Sequence, residues 1–462
     1  NATINVATLR LKSINSHISG FSTGNKAPTT GVWGQTFGGQ ERDENGLVGV
    51  VGVARVSGQV SSSGELTTSE RIGTFILIVA SLNIFVGLFN LLPILPLDGG
   101  HMAVAIADAL RAQKVESVGI CLINAYANPA NERLIADYLR MELGVPVCVS
   151  SEVSPQIREY PRMITTACNA ATMPVIGPYL DELTKWLAAE GFGGSVLMML
   201  SNGGVVSTDD AARTPIRLVE SGPAAGALAG SWFARRLGEE RLMCFDMGGT
   251  TAKSCLIVDG EPELTNTFEV ARIYRFKKGS GFPVSVPSVD LVEIGAGGGS
   301  QAWVDDLGLL KVGPESTGAM PGPACYGRGG THAAVTDSDL ALGMLDAEFF
   351  LGGDMPLDLA ATQAALGRIA DKLKLPVADT AAGVHELVNQ NMAASSRMHA
   401  VELGADLRGV TLLAFGGAGP VHACGVAELL ESPRVIFPVN ASVLSAIGTL
   451  VSPIRIDLAR SM

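Results

Sequence analysis

Hydrophobic and polar positions fall into three textures along the 462 residues of the chain. Residues 1–70 carry short apolar runs, such as Leu47-Val-Gly-Val-Val-Gly-Val-Ala54, set among Ser, Thr, Gly and Asn. This pattern predicts small β elements and loops. From Ile72 to Leu97 there is no charged residue. The part before Pro93 would be roughly 31 Å long as a helix, which matches a bilayer core of about 30 Å and predicts a transmembrane helix. Basic residues do not orient it, because Arg55 and Arg71 precede it and Arg111 and Lys114 follow. Beyond about residue 110, strand-like and helix-like stretches alternate, the signature of α/β layers. Residues 118–123 and 145–150 read as buried strands. Residues 128–139 read as a helix with Asn128 as its cap and Pro129 at its first position. Helical pattern fills residues 163–190, and 195–200 reads as another strand.

Within the alternating region, residues 242–259 form two apolar runs around Asp246-Met-Gly-Gly-Thr-Thr251. The pattern predicts strand, acidic-glycine turn and strand, closed by the Asp259-Gly260 turn. Gly248 and Gly249 carry no side chain to hold a ligand away, so consecutive N–H groups can face an anion beside the Thr250 and Thr251 hydroxyls. Asp246 stands where a carboxylate could hold the waters of Mg²⁺. A hairpin that merely turns is the structural alternative. Two further glycine loops accompany it: Glu293-Ile-Gly-Ala-Gly-Gly-Gly-Ser300, and Gly416-Gly-Ala-Gly419 between an apolar strand and a helix opened by Pro420. Strand, glycine turn and helix N-terminus together suit a nucleotide phosphate, although tight packing also calls for glycine. His422 reads as a nucleotide or substrate contact or as a polar cap at the helix start. Asp337 and Asp339 read as solvated loop carboxylates, with a place in the site as the alternative. Cys325 reads as a small buried residue in a tight turn rather than a reactive thiol.

A formal charge of −12 and the lack of any Lys/Arg run exclude general nucleic-acid affinity. The seven cysteines include no C-x-x-C pair, which points to a reducing compartment and away from a cysteine zinc site. No repeat of 20 to 50 residues is present, which argues against a solenoid. The chain starts at Asn1 without a signal-peptide pattern and reads as a fragment of two to four domains.

Asn90-Leu-Leu-Pro-Ile-Leu-Pro-Leu-Asp98-Gly-Gly-His101 resembles the Asn-x-x-Pro…Leu-Asp-Gly segment of site-2-type intramembrane metalloproteases, over about residues 45–110. The resemblance implies that Asp98 is a zinc ligand. The family's His-Glu-x-x-His helix is absent, and His385-Glu-Leu-Val-Asn389 lacks the second His. Two ligands and the general base are therefore missing, and a protease built this way would be inert alone.

Residues 109–462 resemble the hydantoinase A/oxoprolinase family, which includes N-methylhydantoinase A and acetone carboxylase-like proteins. The matching strings include Asn124-Ala-Tyr-Ala-Asn-Pro-Ala-Asn-Glu132, Ser150-Ser-Glu-Val-Ser-Pro-Gln-Ile-Arg-Glu-Tyr160 and Ser221-Gly-Pro-Ala-Ala-Gly226. The acidic-glycine hairpin, Gly295–Ser300, Gly322-Pro-Ala-Cys-Tyr-Gly-Arg-Gly-Gly330 and Phe415-Gly-Gly-Ala-Gly-Pro-Val-His422 follow in order. The resemblance implies an incomplete actin/hexokinase-type ATPase lobe, preceded by a β-rich fragment (1–70) and a membrane helix (71–110). Residues 111–230 would be the remainder of a first lobe and 231–462 the ATPase-like lobe. ATP would phosphorylate a cyclic amide, imide or ketone oxygen. Asp246 would hold Mg²⁺ through water, with Thr250 and Thr251 beside it as catalytic groups. Gly248, Gly249 and Gly297–Gly299 would approach the phosphates, and Gly416, Gly417, Gly419 and His422 the nucleotide. A second, hydantoinase B-type subunit is implied, in the cytoplasm, with membrane anchoring if 72–97 inserts. The family's first Asp-x-Gly-Gly-Thr hairpin is missing, so the chain is expected to be truncated and weakly active or inactive alone. A fusion of two unrelated coding sequences near residue 110 is the further alternative.

Overall fold

A computed structural model describes residues 67–90, 98–273 and 279–453; the side chains of 71, 85, 86, 88–90 and 98–102 are outside that set. Nearly all of the expected β-rich segment lies outside the described residues. Two compact units divide the chain, Asn1–Val115 and Glu116–Met462.

The first unit contains α1 (Thr68–Asn90) and α2 (Asp98–Ala112). Thr67 and Glu70 start α1 with a reciprocal cap, Glu70 Oε2 accepting from the Thr67 N–H at 2.9 Å and its hydroxyl at 2.7 Å. The uncharged run follows, and Ile72, Ile76 and Ile84 stand exposed along it. Among the described residues no helix is long and apolar enough to cross a membrane. The helix predicted within 72–97 therefore exists without forming a span there. The helix covers Thr68–Asn90, and residues 91–97 of the uncharged run lie outside the described residues. Asp98 opens α2, but its side chain and that of His101 lie outside the described ones.

In the second unit, β1 (Val118–Ile120) pairs in parallel with β2 (Val147–Val149) through the crossover helix α3 (Ala130–Leu143). The helix starts one residue later than expected, with Pro129 at the N-cap rather than the first helical position, and Asn128 Oδ1 accepts from the Ala130 N–H at 3.1 Å. Glu132 is wholly buried and accepts from Leu122 N–H at 2.8 Å, Ser150 Oγ at 2.6 Å and Ser151 N–H at 2.9 Å. That carboxylate ties the Asn124–Glu132 string to the one beginning at Ser150. A single helix, α4 (Glu159–Ala189), continues through Pro174 and Pro178.

The remaining elements build a sheet between helices. After α5 (Ser221–Leu237) come β3 (Arg241–Met247), β4 (Ala252–Val258), β5 (Glu261–Pro262) and β6 (Val292–Ile294). The hairpin β7 (Ser300–Val304) and β8 (Leu310–Ser316) leads to α6 (Val335–Ala341), α7 (Leu359–Leu373) and α8 (Val377–Glu402). The chain returns through β9 (Thr411–Phe415), α9 (Gly419–Leu430), β10 (Val435–Ile436) and α10 (Leu444–Leu450). The sheet order is β6-β4-β3-β9-β10, with β5 also paired to β4. The runs 242–245 of β3 and 412–415 of β9 are apolar because both faces of these strands are covered. Met243, Phe245, Leu412 and Ala414 pack with Val384, Val388 and Met392 of α8 and Ala423 and Val426 of α9. On the opposite face Leu242, Cys244, Leu413 and Phe415 pack with Ala224 and Ala227 of α5 and Leu444 of α10. Helix α5 thus runs across the expected boundary at 230/231 and packs on the sheet of the later segment.

Candidate functional site

The predicted hairpin is present. Strands β3 and β4 pair antiparallel up to Met247↔Ala252, and the Gly248 N–H closes the turn by donating to the Thr251 carbonyl at 3.0 Å. Strand β9 runs parallel to β3 with Phe415 opposite Asp246, so the turn after β9 emerges beside the turn after β3. Neighbouring parallel strands bring both glycine turns to their shared C-terminal edge, where α/β sheets usually take ligands.

Gly416 sits at the closest point. Its φ of +86° lies in the region glycine adopts most easily, and a Cβ there would collide with Asp246 Oδ1 and the Met247 carbonyl. The Ala418 N–H donates to that Met247 carbonyl at 2.9 Å, fastening the second turn to the first. Gly249, Thr250 and Gly417 are exposed at this edge. A Cβ on Gly248, Gly249 or Gly417 would meet no atom within 4 Å, so the backbone here is open to a ligand. Gly419 is buried at the start of α9.

Gly297, Gly298 and Gly299 do not face that opening. They are buried, and the N–H groups of Gly298 and Gly299 already donate to the carbonyls of Gly248 and Gly249 at 3.1 and 2.6 Å. A Cβ on Gly297 would come within 2.7 Å of the Gly249–Thr250 peptide. The expected phosphate contact is therefore replaced by a brace behind the phosphate-type turn. Thr336 extends the brace, its N–H and hydroxyl each donating to the Gly298 carbonyl at 2.8 Å.

The charges beside the hairpin were less legible. Lys253 is the cross-strand partner of both Asp246 and Glu293. Its ammonium lies 2.8 Å from Glu293 Oε1 and donates to Thr251 Oγ1 at 2.7 Å. Burial raises the Asp246 carboxyl above its ordinary range, against the pull of Lys253. Glu220, at a φ of +65° just ahead of α5, is raised to about 7 by burial and then by the charge of Glu293, with Lys253 opposing. A carboxylate held up by burial next to an open glycine turn suits a hydrated divalent cation, which would replace the missing positive charge. Alternation of strand faces could have placed Lys253 beside Asp246 from sequence; Glu220 arrives from a distant loop and gave no such signal.

The remaining candidates occupy a separate buried cluster. Asp337 is wholly buried rather than solvated, accepting from the N–H groups of Ala324, Cys325 and Ala334 at 3.1, 2.7 and 2.8 Å and from Thr362 Oγ1 at 3.2 Å. Burial and the Asp337 charge push the Cys325 thiol well up, consistent with an inert residue in a tight turn. Asp339 is also buried, although it too reads from sequence as a loop carboxylate, because α6 carries it under α8 and α9. His422 does not point to the glycine edge. It lies fully buried one turn into α9, with Nδ1 2.8 Å from Asn389 Oδ1 and Nε2 3.2 Å from Asp339 Oδ2.

A sheet with helices on both faces and an acidic-glycine hairpin beside a glycine turn defines a lobe of the actin/hexokinase-type fold. The hydantoinase/oxoprolinase family model matches residues 162–458, and the chain belongs to that family. The caprolactamase alpha subunit of Pseudomonas jessenii is 37% identical, aligned over 78% of this chain and 51% of its own. The acetophenone carboxylase gamma subunit of Aromatoleum aromaticum is 33% identical, over 73% of this chain and 46% of its own. A nucleotide-free acetone carboxylase structure superposes with a TM-score of 0.67 at 30% identity, covering 75% of this chain and 48% of the other. The chain spans about half the length of these relatives. A second family model, peptidase family M50, matches residues 12–125.

Proposed function

We propose that the chain carries the ATP-binding lobe of an ATP-dependent enzyme of hydantoinase/oxoprolinase type, acting on a cyclic amide, imide or small ketone. One observation supports this above the rest: Asp246, Thr250 and Gly417 stand at a common sheet edge, with open backbone between an acid and two hydroxyls. ATP supplies a phosphoryl group that turns a poor leaving oxygen into a good one. Such transfer depends on placement and charge neutralisation, which this edge is built to give. Gly249 and Thr250 bind phosphate through backbone N–H groups, aided by the Thr250 and Thr251 hydroxyls. Asp246 holds Mg²⁺ through water. Lys253 fixes the Thr251 hydroxyl and offsets the surrounding carboxylates. Gly417 lies against the nucleotide, while Gly416, Gly419 and Gly297–Gly299 keep the two turns in register.

The subunit designations of the caprolactamase and acetophenone carboxylase relatives support a second, hydantoinase B-type subunit as partner. Seven free cysteines suit the cytoplasm for this lobe. Isothermal titration of the full chain with Mg-ATP tests the site. Saturable binding, weakened at least about tenfold by Asp246→Ala, is the expected outcome, since a lost metal-holding carboxylate costs more than 1.4 kcal/mol. Equal binding by both proteins overturns the nucleotide site.

The peptidase family M50 match favours a second reading for the first unit: a membrane metalloprotease fragment with Asp98 as a zinc ligand, joined to an unrelated enzyme lobe. The unit boundary between Val115 and Glu116 suits such a junction. Sequencing reads across the codons for residues 100–120 in source DNA test whether the join exists there. Interrupted coverage would mark it as an assembly product.

A further inference from the structure

A polar cluster in the second unit has no part in the proposed nucleotide chemistry. Asp339 from α6, His385 from α8 and His422 from α9 bring ligand atoms within 4.8 Å of one another. Asp339 and His422 are buried, and His385 is partly so. We propose that these three side chains bind one divalent first-row transition ion, with Zn²⁺ as the reference metal, which clamps α6, α8 and α9 together.

His422 is held from one side only. Its Nδ1 lies 2.8 Å from the side-chain oxygen of Asn389, an acceptor, so Nδ1 carries the proton. Nε2 then presents a lone pair to Asp339 Oδ2 at 3.2 Å, and this buried nitrogen makes no hydrogen bond of good geometry. Two electron-rich atoms facing each other out of water require a cation between them. His385 stacks on the same ring with centroids 4.5 Å apart and planes within 19°, so both imidazoles stand at one carboxylate. A metal ion between the three side chains satisfies both imidazoles and the carboxylate together.

Geometry and chemistry agree. Ligand atoms about 2.0–2.1 Å from a tetrahedral ion lie roughly 3.3 Å from one another. His422 Nε2 lies at about that spacing from Asp339 Oδ2, 3.2 Å, while His385 Nδ1 is hydrogen-bonded to the other oxygen, Oδ1, at 2.8 Å, so an ion would take the place of that hydrogen bond. Two imidazoles and one carboxylate suit zinc, iron, manganese or cobalt rather than calcium or magnesium. Asn389 holds the outer nitrogen of His422, the orientation that metal-bound histidines generally need. His385 and Asn389 are four residues apart on α8, so ligand and orienting group share a helix face. The ion would steady both glycine turns, since α9 begins at Gly419 and Thr336 of α6 grips the Gly298 carbonyl.

The test uses the full chain, purified without a metal-affinity step. Elemental analysis should find about one equivalent of zinc, manganese, iron or cobalt per chain after desalting. Chelator-treated protein should regain about one equivalent of Zn²⁺, melt several degrees higher, and show ligand-field absorption with Co²⁺. His422→Gln and Asp339→Asn should lower Zn²⁺ uptake more than about tenfold, while Asp246→Ala and Asp98→Ala leave it unchanged. If the buried variants fail to fold, the wild-type experiments decide alone. Failure of stripped wild type to take up Zn²⁺, Mn²⁺ or Co²⁺ stoichiometrically overturns the site, as does uptake that disappears in Asp98→Ala and persists in His422→Gln.

Discussion

Glu220 shows how one side chain reports on its surroundings. Burial and the nearby Glu293 raise its carboxyl to about 7, so the folded chain holds this proton more tightly than the unfolded one does. A raised carboxylate withdraws stability as pH climbs from its ordinary value of 4.5 through 7, and the loss is complete above that. Glu220→Gln should therefore gain on the wild type between pH 5 and pH 8 by about 1–3 kcal/mol, the linkage expected of a shift of this size. Urea midpoints of both proteins at the two pH values measure it, and parallel curves would contradict the assignment. Asp246 is raised in the same direction, which reduces what Glu220 alone explains.

Among elements, the carboxylate of Asp337 joins pieces that sequence patterning leaves apart. It ties the turn at Ala324 and Cys325 to the start of α6 and, through Thr362, to α7. Asp337→Ala would leave three buried N–H groups without an acceptor, at a cost of about 3–5 kcal/mol. Chemical denaturation should show that loss, and a change below about 1 kcal/mol would refute the clasp. This clasp also marks where reading the sequence stops working. Residues 242–259 announce their hairpin because apolar alternation and the glycine pair are local. The strand and glycine turn at 411–419 and the helix after Pro129 are equally local. Asp337, Asp339, His385 and His422 acquire their partners only when α6, α7, α8 and α9 pack, and periodicity does not specify which helices meet. Their polar character alone suggested solvent, which the structure reverses for both acids. The Gly297–Gly299 loop shows the same limit: open backbone was legible, but which neighbour would approach it was not.

At the scale of the whole chain, the division at Val115/Glu116 makes a direct prediction. Residues 116–462 expressed alone should melt within about 3 °C of the corresponding transition in the full chain, because a compact unit carries its own core. Calorimetry of both chains checks this, and loss of the cooperative transition in the shorter one would show that the first unit is needed for folding. Family membership was legible at this scale because the matching strings occur in series. The reading of 72–97 as a bilayer span drew on length and apolarity alone, and among the described residues no helix meets both requirements together.

The parallel pairing of β3 with β9 also affects how the protein is made. Thr411 of β9 donates to Glu239, just ahead of β3, across 172 positions of chain. At about 5–20 residues per second, a ribosome finishes β3 on the order of ten seconds before it supplies β9. Throughout that interval the nascent polypeptide presents an unpaired strand edge with the apolar run 242–245 along it. Newly made copies should consequently depend on chaperones, and slower growth in a cooler host should raise the yield of soluble protein.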